Sequence, residues 1–106
     1  MIKLIIADTL NLSFAVINNT DQSPADLSTV TARLMIKKSL TDKIPKVTKE
    51  LIHPVSNILN FEVTADETAT LAAGQYNIGL KLYYDSGVEI TQWQDLLVAE
   101  KGVFDE

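Results

Sequence analysis

Few side chains in this sequence of 106 residues could carry out hydrolysis, because it has one histidine and no cysteine. His53 is the one imidazole available as a general base, and Ser56 is a hydroxyl close to it in sequence. A catalytic triad needs a nucleophile, a base and an orienting carboxylate in one geometry, whereas His53 precedes Pro54 at a predicted strand end. Without cysteine there is no thiol nucleophile, disulfide or zinc–thiolate site. The sequence therefore predicts a protein that is not an enzyme.

Two groups of acidic residues could bind a metal ion, but each has a structural interpretation. Asp66 and Glu67 follow Thr64 at the spacing of a capping box, in which threonine hydroxyl and glutamate carboxylate each accept the other residue's backbone N–H. The segment Asp85-Ser86-Gly87 lacks the repeated acidic spacing of a calcium loop and is typical of a hairpin turn. We expect no bound metal and no cofactor.

Apolar and polar residues alternate with a period of two along most of the chain, which predicts an all-β domain. In the last strand, the period of two puts Ile90 and Leu96 on the same, inward side. The same period puts Gln92 and Gln94 on that side between them. These two polar residues predict a bulge near Trp93. Seven short strands predict a Greek-key sandwich of two sheets over residues 1–99, followed by a C-terminal arm, 100–106. The predicted strands cover 2–7, 10–17, 29–38, 46–53, 58–64, 75–84 and 88–99.

The net charge of −5 is unevenly distributed. Residues 33–50 carry six Lys or Arg against two acids, whereas residues 51–106 carry nine acids against two lysines. This asymmetry is either ordinary solvated surface or a dipole that orients the domain on a lattice or on its own copies. The basic segment has no aromatic residue for base stacking, so we expect no nucleic-acid binding. Four lysines of this segment are candidates for contact with a partner: Lys37, Lys38, Lys43 and Lys46.

Three apolar side chains near the C-terminal end are further candidates for contact. Trp93 either covers the edge of the sandwich or anchors an interface, because tryptophan is enriched at binding hot spots. Together with Tyr83 it would form a sugar-stacking platform if both rings faced outward. Val103 and Phe104 follow the last predicted strand, and they either fold back or dock into a neighbouring molecule.

The segment Ala73-Gly74-Gln75-Tyr76-Asn77-Ile78 resembles the E–F corner of immunoglobulin-like sandwiches. In that corner a tyrosine near the start of strand F bonds back to the upstream backbone. Here the tyrosine is Tyr76, and Ile78 takes the place of the second cysteine of true immunoglobulins. The resemblance implies an immunoglobulin-like Greek-key β-sandwich without the disulfide, with one short helix in the E–F connection at about 64–72.

Residues 8–99 resemble the small β-sandwich modules of tailed-bacteriophage virions, which form the N-terminal domains of upper baseplate proteins and fibres and also occur as head or tail accessory proteins. The motifs are structural: a turn, a cap, a corner and a hairpin. The resemblance implies a non-enzymatic virion protein that decorates the capsid or attaches to the tail or baseplate. Its partners would be major capsid or tail proteins and other copies of itself. The alternative is a carbohydrate-binding module for adhesion to the host surface. The residues that carry the match are 26–28, 31–38, 61–69, Leu71, Gly74, Tyr76 and 85–87.

The N-terminal apolar run ends at Asp8 and is too short for a signal-peptide core, and no stretch approaches the ~18–20 apolar residues of a membrane span. We therefore expect a soluble protein made in the bacterial cytoplasm, located in the virion and without membrane contact.

Baseplate proteins of this type continue into further domains, whereas this sequence stops after one sandwich. This difference favours a free-standing decoration or adaptor protein, and the initial Met1 favours a complete product.

Overall fold

The computed structural model describes residues 1–103, which form strands joined by short connections and one helix of a single turn. The strands lie close to the segments that alternation predicts, with ends that differ by at most two residues. In chain order the elements are β1 (Ile2–Ile5), β2 (Leu10–Ala15), β3 (Val30–Lys37), β4 (Val47–Ile52), β5 (Ile58–Val63), α1 (Ala65–Thr68), β6 (Gly74–Tyr84) and β7 (Glu89–Glu100).

Two sheets pack face to face around one core. The larger sheet has five strands in the order β1-β7-β6-β3-β4, and the smaller pairs β2 with β5. All pairs are antiparallel except β1 with β7, which run parallel. Among the described residues, four of the six connections between successive strands cross from one sheet to the other, as in the Greek-key arrangement of an immunoglobulin-like sandwich. The other two, β3–β4 and β6–β7, stay within the larger sheet. The predicted all-β sandwich is confirmed.

The core is built from the inward-facing residues of strands in which buried and solvent-facing side chains alternate. Along β3 and β6 every second residue is buried, and along β5 the pattern is fully alternating. Both sheets contribute to one apolar cluster, so each covers the face that the other would otherwise expose to water. Its fully buried members include Val30, Ala32, Ile36, Leu59, Val63, Leu80 and Leu97.

Strand β7 contains the predicted bulge, but its inward side differs from the prediction. Leu80 pairs with Trp93 and the next residue of β6 pairs with Thr91, so Gln92 is the extra residue. An extra residue reverses the alternation beyond it. The expectation that Leu96 and Val98 face the core is therefore wrong: Leu97 and Ala99 are buried, and Leu96 is 42% exposed. The bulge also turns Trp93 toward the core.

The connection between β5 and β6 confirms the predicted cap and corner. The Thr64 side chain accepts the Glu67 N–H, and the Glu67 carboxylate accepts the Thr64 N–H at 2.9 Å. The Tyr76 hydroxyl, on a side chain 3% exposed, donates to the Ala72 carbonyl at 2.8 Å. Gly74 has φ +148°, where an L side chain is strained. The corner thereby fixes the direction in which β6 enters the sheet.

Glu67 links this cap to the larger sheet, and it should make stability depend on pH. Its carboxylate also accepts from Lys49 Nζ at 3.0 Å, and hydrogen bonds from the Thr64 backbone and then from Lys49 lower the pKa of Glu67. Because the pKa is lower in the folded than in the unfolded state, the ionised Glu67 carboxylate stabilises the fold. This contribution is complete above the unfolded-state pKa, near 4.5, and is lost as the pH falls through the folded-state pKa.

We expect Glu67→Gln to lower the free energy of unfolding by about 0.5–1 kcal/mol at pH 7. The variant should also flatten the fall in stability below pH 5, because it carries no group to protonate at this position. Urea denaturation between pH 3 and pH 7 measures both effects. The matched control is Glu62→Gln, on the exposed face of β5, which should leave the slope unchanged. Equal slopes in all three proteins would contradict the assignment.

Candidate attachment surface

The sheet register brings five of the predicted contact residues to one end of the sandwich: Lys37, Lys38, Lys43, Lys46 and Val103. Lys37, the last residue of β3, pairs with Asn77 near the start of β6, and Gly74 pairs with Ala99 near the end of β7. The loop after β3 and the chain after β7 therefore leave the sheet at the same end. We call this the arm end, and we call residues 38–46, between β3 and β4, the basic hairpin loop.

The lysines of the basic hairpin loop differ in how firmly they are held. Lys38 Nζ donates to the Gln75 carbonyl at 3.1 Å and lies 4.6 Å from the centre of the Tyr76 ring. Lys43 and Lys46 are exposed to solvent. Asp42, the one acid of this loop, accepts the Ser39 N–H at 3.0 Å and so stabilises the turn. The lysines project from an ordered turn, which suits a surface that meets a partner in a fixed orientation.

The same loop exposes two large apolar side chains that are not among the predicted contact residues. Leu40 is 66% exposed and Ile44 is 83% exposed. Val103 of the arm is 95% exposed, and Phe104 lies outside the described residues. Apolar side chains surrounded by charged ones are characteristic of interaction sites. The signal in the sequence was an apolar residue on either side of Asp42 within a predicted turn.

The opposite end carries the other sign of charge. The connection from β2 to β3 contains Asp21 and Asp26, the β6–β7 turn contains Asp85, and none of these loops has a lysine or arginine. Hydrogen bonds from Ser23 and Ser28 lower the pKa of Asp21 and Asp26, respectively. The arm end also contains acids: Asp66 and Glu67 on α1, Asp8, whose carbonyl accepts from Thr68 of α1, and Glu100 at the end of β7. The hairpin itself is the basic element of this end.

Trp93 is not part of this surface, and its predicted pairing with Tyr83 does not form. The bulge turns Trp93 inward, where its ring lies 5.1 Å from the ring of Phe14 on the opposite sheet. Tyr83 lies on the outer face, with the guanidinium of Arg33 4.6 Å from its ring centre. The two rings therefore face opposite sides of the sheet, and the predicted sugar-stacking platform is wrong. Trp93 is a core residue at the edge of the sandwich.

His53 is paired with a carboxylate but not with a nucleophile. Its Nε2 atom lies 3.1 Å from an oxygen of Asp85, and both side chains are about half exposed. The Ser56 hydroxyl accepts the Ile58 N–H at 3.0 Å. Nothing here aligns the hydroxyl with the imidazole, so the pair bridges two loops at the end opposite the arm end.

Within residues 1–103 no group of three His, Asp or Glu side chains is placed to hold a metal ion. No helix in this part of the chain has the length and apolar character needed to cross a membrane.

No protein-family model matches the chain, and no curated protein does so either. Among solved structures, the chain is similar to the soluble domain of PmoD from a Methylocystis species, with a TM-score of 0.55. The match covers 92% of this chain and 77% of that chain at 11% sequence identity. At this identity the likeness supports the fold alone.

Proposed function

We propose that this protein is a non-enzymatic structural component of a tailed-phage virion, which binds a capsid, tail or baseplate protein through its arm end. The proposal starts from the resemblance of residues 8–99 to virion sandwich modules. The observation that supports it most is that the basic hairpin loop and the C-terminal arm, which are far apart in sequence, emerge at the same end of the fold. A domain with its contact groups at one end suits attachment to a surface.

The chemistry of this end favours a partner with an acidic, partly apolar surface. Lys43 and Lys46 supply positive charge within a protein of net charge −5, and the aspartates at the far end carry the opposite sign. Such polarity orients a protein as it approaches a negatively charged surface. Leu40 and Ile44 would be buried on contact, which adds affinity that salt does not screen. On a repeated lattice many weak contacts of this kind act together.

Binding to particles that lack the protein tests this proposal. Purified protein should cosediment saturably with virions from a phage deleted for its gene, and rising salt should weaken the binding. Because an exposed ion pair contributes up to about 1 kcal/mol, the double variant Lys43→Glu/Lys46→Glu should bind roughly five- to tenfold more weakly at ~0.1 M salt.

The single variants Lys43→Glu and Lys46→Glu should each show part of this loss. Their charge-matched control is Lys3→Glu, on β1, whose side chain is 63% exposed and lies outside the basic hairpin loop. It should leave binding unchanged. Saturable binding that is insensitive to salt and to both hairpin reversals would contradict the electrostatic part of the proposal. Absence of binding to the particles would contradict the proposal as a whole.

A further inference from the structure

The outer face of the larger sheet carries a groove. It has a volume of about 310 Å³ and runs across β3, β6 and β7. Its middle is lined by Gly79, where an added Cβ would lie 3.3 Å from the Trp93 carbonyl oxygen. Leu40 of the basic hairpin loop also lines it. The groove therefore extends toward the arm end.

Three cations line this groove. Arg33 donates to Glu50 at 2.9 Å, and Lys81 lies 2.9 Å from Glu89, so each of these two is paired across the sheet. Lys37 has no acidic partner within residues 1–103 and lies at the arm-end side of the groove. Met35 and Leu40 supply apolar surface beside it. The groove therefore fits a segment that offers apolar side chains together with carboxylates.

The chain itself contains such a segment, since residues 103–106 read Val-Phe-Asp-Glu. Val103 is 95% exposed, so its own domain does not cover it. We propose that residues 103–106 of one copy occupy the groove of a second copy, with Val103 and Phe104 against Met35 and Leu40 and the carboxylates of Asp105 and Glu106 near Lys37. This inference concerns association between copies, and it does not depend on the virion proposal.

The arm and the groove are two different surfaces of the molecule. A contact between the arm of one copy and the groove of the next is therefore heterologous, and such contacts generate rings or open chains. Two molecules of net charge −5 repel each other, so the local attraction acts against a general repulsion. We therefore expect weak association in dilute solution. It should strengthen where copies are held close together, because tethering raises the effective concentration to the millimolar range.

Sedimentation velocity of the full chain from about 10 µM to about 1 mM tests the inference. Wild-type protein should show reversible, concentration-dependent association. Lys37→Glu and the double variant Asp105→Lys/Glu106→Lys should each weaken it at least about tenfold, because like charges then face each other across the contact. Lys3→Glu, which makes the same charge change on β1 and outside the groove, is the matched control and should associate as wild type does.

Mixing the two charge variants provides the decisive step. In the mixture, the acidic arm of Lys37→Glu meets an unaltered groove, and the basic arm of the other variant meets a groove with a new glutamate. The mixture should therefore associate more strongly than either variant does alone. Wild-type protein that stays monomeric at the highest concentration would overturn the inference, as would a mixture that stays monomeric. Association lost equally on Lys3→Glu would overturn the assignment of the groove. Circular dichroism confirms that each variant is folded.

Discussion

Replacing Trp93 with alanine is expected to lower the free energy of unfolding by about 2–4 kcal/mol, which is below the range for a fully buried tryptophan because this side chain is only partly buried. The indole packs on Phe14 across the two sheets at 5.1 Å between ring centres, and its removal leaves a cavity where the sheets meet. Trp93 is the one tryptophan, so the alanine variant has no tryptophan fluorescence with which to follow unfolding. Far-ultraviolet circular dichroism in urea is therefore the suitable measurement.

The controls separate a core role from a contact role. Trp93→Phe should recover much of the lost stability, and Tyr83→Ala, on the outer face, should cost less than half as much. At temperatures where Trp93→Ala is folded, it should cosediment with particles as the wild type does. Unchanged stability together with lost attachment would show instead that Trp93 is a surface anchor.

Tyr76→Phe is expected to destabilise the protein by about 1–3 kcal/mol, because it removes one buried hydroxyl and its hydrogen bond without opening a cavity. The hydroxyl of Tyr76 donates to the Ala72 carbonyl at 2.8 Å, and this bond closes the corner that starts β6. The loss should be measured by urea denaturation at pH 7, where the wild type and the variant differ in that hydroxyl alone.

The matched control is Tyr84→Phe, at the other end of β6, whose hydroxyl makes no hydrogen bond within residues 1–103. It should change stability by less than about 0.5 kcal/mol, as substitutions away from specific interactions do. Equal losses in the two variants would show that the corner bond contributes nothing specific to stability.

Local patterns were enough to predict the elements of the fold. The alternation along 29–38 and 75–84, the cap at Thr64 and the corner at Tyr76 all depend on residues close together in sequence, and all are present. The bulge near Trp93 was also predictable. Its consequence was not, because the exact position of the extra residue, Gln92, decides which side of β7 faces the core.

The candidate surface could be predicted only in part. The lysines were visible as a charge cluster, but their closeness to the C-terminal arm follows from the pairing of β3 with β6 and of β6 with β7, which joins residues far apart in sequence. Leu40 and Ile44 stand in a turn, where alternation carries no information about exposure. The groove around Gly79 depends on three strands and on a loop that reaches over the sheet, so no local pattern predicts it.

The proposed virion role is tested most directly by a density map of intact particles purified from phage-infected cells that express this chain. We expect density for a sandwich of this shape on the head or tail surface, with the basic hairpin loop and the C-terminal arm facing the particle and Asp21, Asp26 and Asp85 facing away. A sandwich attached by the aspartate end would contradict the proposed surface. Absence of the chain from purified particles, checked by mass spectrometry, would contradict the virion role itself.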